Sequence, residues 1–383
     1  MSPVIAERLS RVNWDFPKAG NSADSINSLH WFAGNYIPQI PSYLLQILSD
    51  PGDVVLDPFC GSGTTALEAI RAGRNVVASD ILSACVFLTR CKLETATCPP
   101  SRREISSVLA ELLWVGQSQG QGMLAADLKP WYSDATFAQL EFLNAVVQRA
   151  SAAIKPALEL IFSNVLFACA SPGKAVTKTG LPRLHHWGWV ADKVLPRDHA
   201  NHDAVELFHK SLYRLQMMPE LDFGTHPEGQ YLVTQSDARR LSLDDGSIDC
   251  VVTSPPYIGM IDYARSHRLT YMWKGWRVDD ERENEIGARY KRFRKALVEE
   301  YLDDMALCMR EIARVLKVGG HCAIVIGESR KFKGTVKALM ERTQGDLPVV
   351  WGPVSRIHSR RRVPDREVSE GQEYICVFRK GTP

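Results

Sequence analysis

Residues 51–81 read PGDVVLDPFCGSGTTALEAIRAGRNVVASDI, and the fold is decided by this stretch. A turn at Pro51-Gly52-Asp53 leads into a short apolar strand, Val54-Val55-Leu56. A run of small residues follows, then a helix over about 64–72 capped by Gly73. A second strand, Asn75 to Ser79, ends at Asp80. The pattern is a βαβ unit with an acidic residue at the tip of its second strand. The loop Asp57-Pro58-Phe59-Cys60-Gly61-Ser62-Gly63-Thr64-Thr65 sits where strand meets helix. Small residues there let a ligand approach the backbone, and the helix N-terminus behind them offers N–H groups to an anion. No Gly-Lys-Ser/Thr follows, so the loop is not a P-loop. Position 66 is alanine, so the dinucleotide fingerprint is absent too. Asp57 and Asp80 at successive strand ends favour a nucleoside cofactor over a plain turn, because a carboxylate there accepts hydrogen bonds from ribose hydroxyls.

Outward from this unit, residues 1–30 are polar and irregular, and 38–50 form a short amphipathic helix starting after Pro41. Residues 94–228 read mostly as helices, with helical periodicity in 137–150 and 157–170, broken by a loop at 171–189. Strand patterns return at 231–234 and 250–253. A helix covers 296–316, a strand 322–326 follows the turn at Gly319-Gly320, and strands at 348–354 and 373–379 close the chain. The expected fold is α/β: a doubly wound, mostly parallel sheet with a helical insertion. The division is 1–93, 94–228 for the insertion, and 229–383.

The second informative stretch is Asp249-Cys250-Val251-Val252-Thr253-Ser254-Pro255-Pro256-Tyr257. Two prolines after an apolar strand cannot donate to a ladder, so the strand stops there. The result is a rigid loop at a strand's carboxyl end, where open α/β sheets bind ligands. Ser254 offers a hydroxyl, Pro255 a carbonyl and Tyr257 a flat face. That set suits a planar heteroaromatic amine, against the plainer reading of a strand-capping turn.

Composition bounds the answer. The chain has 383 residues and a mass of 42.8 kDa, enough for about two domains of the usual size. Lys plus Arg total 46 against 44 for Asp plus Glu, so a uniformly basic binder is excluded while a locally basic face is not. Nine cysteines are scattered with no CxxC pair, and His185-His186 has no partner ligands, so no metal site is expected. The first residues lack an apolar signal core, and no stretch approaches about 18 apolar residues. A cytoplasmic, nucleoid-associated protein of bacterial or phage type with no membrane contact is the expectation.

Together these motifs resemble the amino-methylating nucleic-acid methyltransferases that use S-adenosylmethionine, over roughly residues 28–92 and 230–380. The resemblance implies a Rossmann-like methyltransferase fold. It makes 1–93 the cofactor-binding half, 229–383 the catalytic half, and 94–228 a candidate substrate-recognition region, although the family's common arrangements do not put such a region there. Asp57, Phe59, Cys60, Gly61, Gly63, Thr64 and Thr65 match the family's DPFxGSGTT loop, which cradles the cofactor's methionine part. Asp80, with Ile81 beside it, matches the ribose-binding acid, and Asp237 with Ala238 the adenine contact. His30 and Phe32, in His30-Trp31-Phe32-Ala33, resemble the segment flanking the methionine end. Ser254, Pro255, Pro256 and Tyr257 match the catalytic (S/N/D)PP(Y/F) motif. Residues 261–273 resemble the segment that follows it in a subgroup of bacterial DNA methylases, and 371–379 the terminal strand.

The implied reaction is direct methyl transfer to an exocyclic amino nitrogen of a flipped-out base in double-stranded DNA. The Ser form after Thr253 is similar to cytosine-N4 enzymes. Adenine N6, an RNA base, and a catalytically silent binding module stay open. Cys60 reads as backbone filler, because no Pro-Cys motif of carbon-5 methylases is present. The resemblance brings a restriction-modification or defence setting, with a cognate restriction endonuclease as a further candidate partner. Candidate nucleic-acid contacts are Arg268 shortly after the catalytic motif, with loop anchoring as its alternative, Lys291 and Arg292 in the basic-aromatic run 289–295, Arg360, Arg361 and Arg362 in the run 356–362, and Lys174 and Lys178 in the 171–189 loop. A solvated helix face is the alternative for 289–295.

Overall fold

A computed structural model describes residues 2–17, 25–113, 123–170, 201–218, 229–356 and 372–381. Its strands are β1 Val54–Asp57, β2 Asn75–Asp80, β3 Tyr231–Gln235, β4 Ile248–Thr253, β5 Leu316–Glu328, β6 Val349–Arg356 and β7 Gln372–Arg379. They form one seven-stranded sheet in the order β3-β2-β1-β4-β5-β7-β6. The β1–β2, β1–β4, β2–β3 and β4–β5 pairs are parallel, and β7 lies antiparallel between β5 and β6. The expected doubly wound sheet is therefore present. Chain order reverses between β1 and β4, and a ligand crevice opens at the carboxyl ends of strands at such a point. Asp57, Asp80 and Thr253 all end strands there.

The helices in order are α1 Pro3–Arg11, α2 Gln39–Leu48, α3 Thr64–Arg71, α4 Ser83–Thr97, α5 Arg102–Leu112, α6 Asp134–Arg149, α7 Lys155–Cys169, α8 Ala204–Gln216, α9 Tyr263–Ser266, α10 Arg268–Lys274, α11 Val278–Arg282, α12 Leu297–Val315 and α13 Thr335–Thr343. Strand alternation splits the core between two faces. Val55, Cys250, Val252, Ala323 and Val377 pack with α1, α2 and α3 on one face, whereas Leu56, Val251, Cys322, Ile324 and Phe378 pack with α12 and α13 on the other.

The helices between β2 and β3 have a third core. Leu140, Leu143, Leu158, Ile161, Phe162, Leu166 and Phe208 are buried in it together with Leu67 of α3 and Leu88 and Cys91 of α4. Helix α4 also runs through position 93. The insertion is thus an overgrown β2-to-β3 crossover that shares its core with the sheet's own helices.

Three local expectations needed correction. Residues 3–11 are helical rather than irregular: Ser2 accepts the Ile5 N–H, Pro3 occupies the first turn, and Leu9 is buried. Helix α2 begins before Pro41, in whose position the missing N–H is one that a first turn leaves unpaired anyway. Strand β5 begins at Leu316 and passes through Gly319-Gly320, with an irregularity in its register to β4 absorbing the extra residues.

Phe162→Ala should destabilise the whole protein by about 3–5 kcal/mol, as a large-to-small change in a shared core does. Denaturant unfolding followed by two probes, one in the insertion and one in the sheet, should show both transitions moving together. Loss of the insertion signal alone would contradict the shared core.

Candidate active site

The βαβ loop is built on two left-handed glycines. Gly61 has φ +49° and Gly63 φ +79°, and a Cβ at Gly61 would meet the Phe32 ring at 3.2 Å. A Cβ at Gly63 would approach the Cα and side chain of Thr89 in α4 to about 3.0 Å. Asp80 braces the loop: its carboxylate accepts the Gly61 N–H at 3.0 Å and the Leu82 N–H at 3.0 Å. Asp57 accepts the Phe59 N–H and, at 2.6 Å, the hydroxyl of Thr253 from the end of β4. That last bond ties the two sequence motifs together. Burial pushes both Asp57 and Asp80 up to about 6, despite the N–H and O–H groups that favour their ionised forms.

A cleft opens over this loop. Its walls include Phe32, Phe59, Cys60, Gly61, Thr64, Asp80, Ile81, Asp237, Ala238, Ser254 and Pro256, all named from sequence. Other sequence-named residues stand behind the wall. Asp57 and Thr65 are buried beneath the loop, Thr65 sharing a hydrogen bond with Tyr36, and Gly63 faces Thr89. His30 does not line the cleft: it is buried, with Nε2 2.9 Å from Ser163 Oγ and Nδ1 against the Trp31 carbonyl. Phe32 stacks on His267 at 4.8 Å, and burial holds that imidazole neutral, pushed down to about 3.

The wall also has residues that sequence reading missed. Asn35 accepts the hydroxyls of Ser62 and Thr64 at 3.1 and 2.7 Å and so fastens the 30s segment to the loop. Glu285 accepts the Tyr263 and Ala264 N–H groups at 2.8 and 3.0 Å, capping α9, and burial raises its pKa. Neither residue sits in a motif, and their signal is purely spatial. Asp237 reaches the cleft, but its carboxylate is gripped by Arg239, whose Nε and Nη2 donate at 3.0 and 2.7 Å.

The Ser254–Tyr257 loop leaves β4 directly beside the cleft. Tyr301 donates to the Pro256 carbonyl at 3.0 Å, and Pro255 is buried. Tyr257 lies past the cofactor-side wall, its ring against Gly327, where a Cβ would come within 2.4 Å of it.

The structure buries one expected nucleic-acid contact and ties back another. Arg268 is buried, at 7% exposure, in the first turn of α10, so it is unavailable to a phosphate. Lys291 turns inward and donates to the Glu283 and Glu285 carbonyls at 3.1 and 2.8 Å. Arg292 remains at the surface, over the ring of Phe293 at 4.6 Å. Lys174, Lys178, Arg360, Arg361 and Arg362 lie outside the described residues. Among the described residues, no group of three or more metal-ligating side chains converges, and no helix is long and apolar enough to cross a membrane.

Sheet order and cleft together define a Rossmann-like α/β protein with a ligand crevice at the carboxyl ends of its strands. Residues 14–87 and 248–383 match the family model described as DNA methylase, so the chain belongs to that family. It is an amino-methylating DNA methyltransferase that uses S-adenosylmethionine. It is similar to the type II methyltransferase M.MjaII of Methanocaldococcus jannaschii, 20% identical over 83% of this chain and 74% of that one. It is also similar to the DNA adenine methyltransferase YhdJ of Escherichia coli, 35% identical over 22% of this chain and 28% of that protein. A solved S-adenosylmethionine-dependent methyltransferase from Methanosarcina mazei aligns over 89% of this chain and 98% of its own, with TM-score 0.35 and 10% identity.

The residues present fit that cofactor. Gly61 and Asp80 both line the cleft, and Gly61 leaves space beside the Phe32 ring that a Cβ would fill. The pH dependence follows. A carboxyl raised to about 6 gives the ligand-free protein stability that is complete below its unfolded value of 3.8 and is lost as pH rises through about 6. If ionised Asp80 holds the ribose, as the resemblance implies, cofactor binding has the opposite sense. Affinity for S-adenosylmethionine should fall about tenfold between pH 7.5 and pH 5, and Asp80→Asn should weaken binding and flatten the dependence. Calorimetric titration across that range checks this, and a pH-independent wild-type affinity would refute it.

Proposed function

We propose that this chain methylates the N4 amino group of cytosine in double-stranded DNA, with the target base flipped out of the helix. The observation that carries the reading is the Thr253–Asp57 hydrogen bond, which puts Ser254 and Pro256 in the wall of the same cleft as Gly61 and Asp80. S-adenosylmethionine, when bound, supplies an electrophilic methyl group. Asp80 holds ribose hydroxyls, Phe32 and the Gly61 backbone shape the methionine end, and Ala238 with the edge of Asp237 bounds the adenine.

On the target side, the Ser254 hydroxyl and the Pro255 carbonyl accept hydrogen bonds from the amino group. A base amino nitrogen is a poor nucleophile because its lone pair delocalises into the ring. Two fixed acceptors favour a tetrahedral nitrogen with a free lone pair and stabilise the positive charge that develops on it. Tyr257 gives the base a stacking face. Ser254 lies in the wall of a cleft, and a base must leave the stack to enter one, which favours flipping.

Adenine N6 is the second reading, supported by the similarity to a protein named as a DNA adenine methyltransferase. Mass analysis of nucleosides from DNA and RNA incubated with the protein and labelled cofactor separates the readings. Label in N4-methylcytosine is expected. Label in N6-methyladenine would transfer the assignment to adenine, label only in RNA would overturn the DNA substrate, and no label would leave a silent module. Ser254→Ala should lower turnover by about 10²-fold with cofactor affinity nearly intact. A collapse of cofactor affinity with turnover preserved would contradict its role.

For the DNA face, a surface platform beside the catalytic loop supports the reading. Phe293 is 77% exposed, flanked by Arg292 and by Lys331 at 4.7 Å, and neighbouring Phe332 packs on Gly259, two residues past Tyr257. Lys295→Ala should weaken DNA binding and lower the slope of log K against log salt by about 0.9 for the phosphate no longer neutralised. Phe293→Ala should weaken binding at unchanged slope. Salt titrations of the wild type and both variants check this, and an unaltered slope in the lysine variant would return the run to ordinary solvated surface.

A further inference from the structure

We propose that Glu373 and Arg356 form a buried positioning pair for Tyr257, fixing the plane of its ring so that the ring face, and not the hydroxyl, meets the target base. The proposal rests on the stacking role given to Tyr257 above.

The observations are three. Tyr257 donates its hydroxyl to Glu373 Oε1 at 2.6 Å. The other oxygen of Glu373 pairs with Arg356 Nη1, and both side chains are buried, each residue at 4% exposure. Arg356 is itself held, its Nε donating to the Trp14 carbonyl at 2.9 Å. Glu373 opposite Arg356 is a registered pair of the β6–β7 hairpin. A buried carboxylate needs a partner on each oxygen. Here one partner is a guanidinium and the other is the phenol of the catalytic loop.

A tyrosine in an open loop rotates about two side-chain torsions. This one is held at its far end by a charge-assisted hydrogen bond, with Gly327 of β5 packed closely against its ring. The hydroxyl is committed to Glu373 and cannot serve as donor to the substrate. Arg356 acts at one remove, by holding Glu373 in place.

The test is a double-mutant cycle of Tyr257→Phe and Glu373→Gln, read in three ways. Each single variant should lower kcat/KM for DNA by about tenfold while S-adenosylmethionine affinity stays within about twofold, and the double variant should be no worse than the poorer single. Multiplying effects would overturn the coupling. Fluorotyrosine placed at position 257 reports the seat of the ring without turnover: its 19F line should shift or broaden in Glu373→Gln, and an unchanged line would overturn the proposal. A changed line with unchanged kcat/KM would support the positioning and count against the stacking role, so the two readings fail separately. If Glu373→Gln does not fold, Arg356→Lys keeps the charge, loses the fork geometry, and should give the same 19F change at smaller amplitude; no change would again overturn the proposal.

Discussion

The site depends on one hydrogen bond between residues 196 positions apart, from the Thr253 hydroxyl to the Asp57 carboxylate. It crosses the gap between β1 and β4, the point where strand order reverses. On one side of it lies the glycine loop of the proposed cofactor site, on the other the Ser254–Tyr257 loop of the proposed amino-group site. Transfer between two ligands is a problem of placement, and placement within a fraction of an ångström requires that the two loops not drift apart. A buried carboxylate accepting a hydroxyl and backbone N–H groups provides that rigidity, because breaking any of those bonds leaves charge or polar groups unpaired in the core.

Around this bond the protein repeats one device. Acidic side chains accept N–H groups where the chain turns into the site. Asp80 does so for Gly61 and Leu82, Glu285 for Tyr263 and Ala264, and Glu281 for Ser83. The acidic residues near 279–285 look from composition like a counterweight to the basic runs. In the fold, two of them are helix caps that hold the segment after the catalytic motif against the cofactor loop. The insertion acts the same way: Ser163 and Asn164 of α7 hold His30 and the Trp31 N–H, so the crossover between β2 and β3 helps to fix the segment that carries Phe32 and Asn35.

Legibility in the sequence follows the range of the physics. The βαβ unit, the strand stopped by two prolines and the apolar alternation of β4, β5 and β7 are set by local sterics and period, and these are legible within a few residues. Helix α1 escapes such a reading because nine residues with one fully buried apolar position make a weak periodic signal, although Ser2-Pro3 is a recognisable start. His30 and Arg268 look like ligand contacts because they stand beside motifs. Burial, a tertiary property, makes one a packing residue on α7 and the other part of the core around α10. Lys291 shows the same limit, since a lysine in a basic run gives no sign that its amino group bends back to two carbonyls.

By itself, the sequence determined the kind of chemistry. A Gly-x-Gly turn that only glycine tolerates, two acids at strand ends and a Ser-Pro-Pro-Tyr loop specify a nucleoside-type cofactor and an amino acceptor, because each depends on local backbone geometry. Only the tertiary structure decided which residues share the cleft and which hold those that do. Thr253 on Asp57, Asn35 on Thr64, and Glu373 with Arg356 on Tyr257 join positions far apart in the chain. Their contacts follow from strand order and register, which no window of sequence contains.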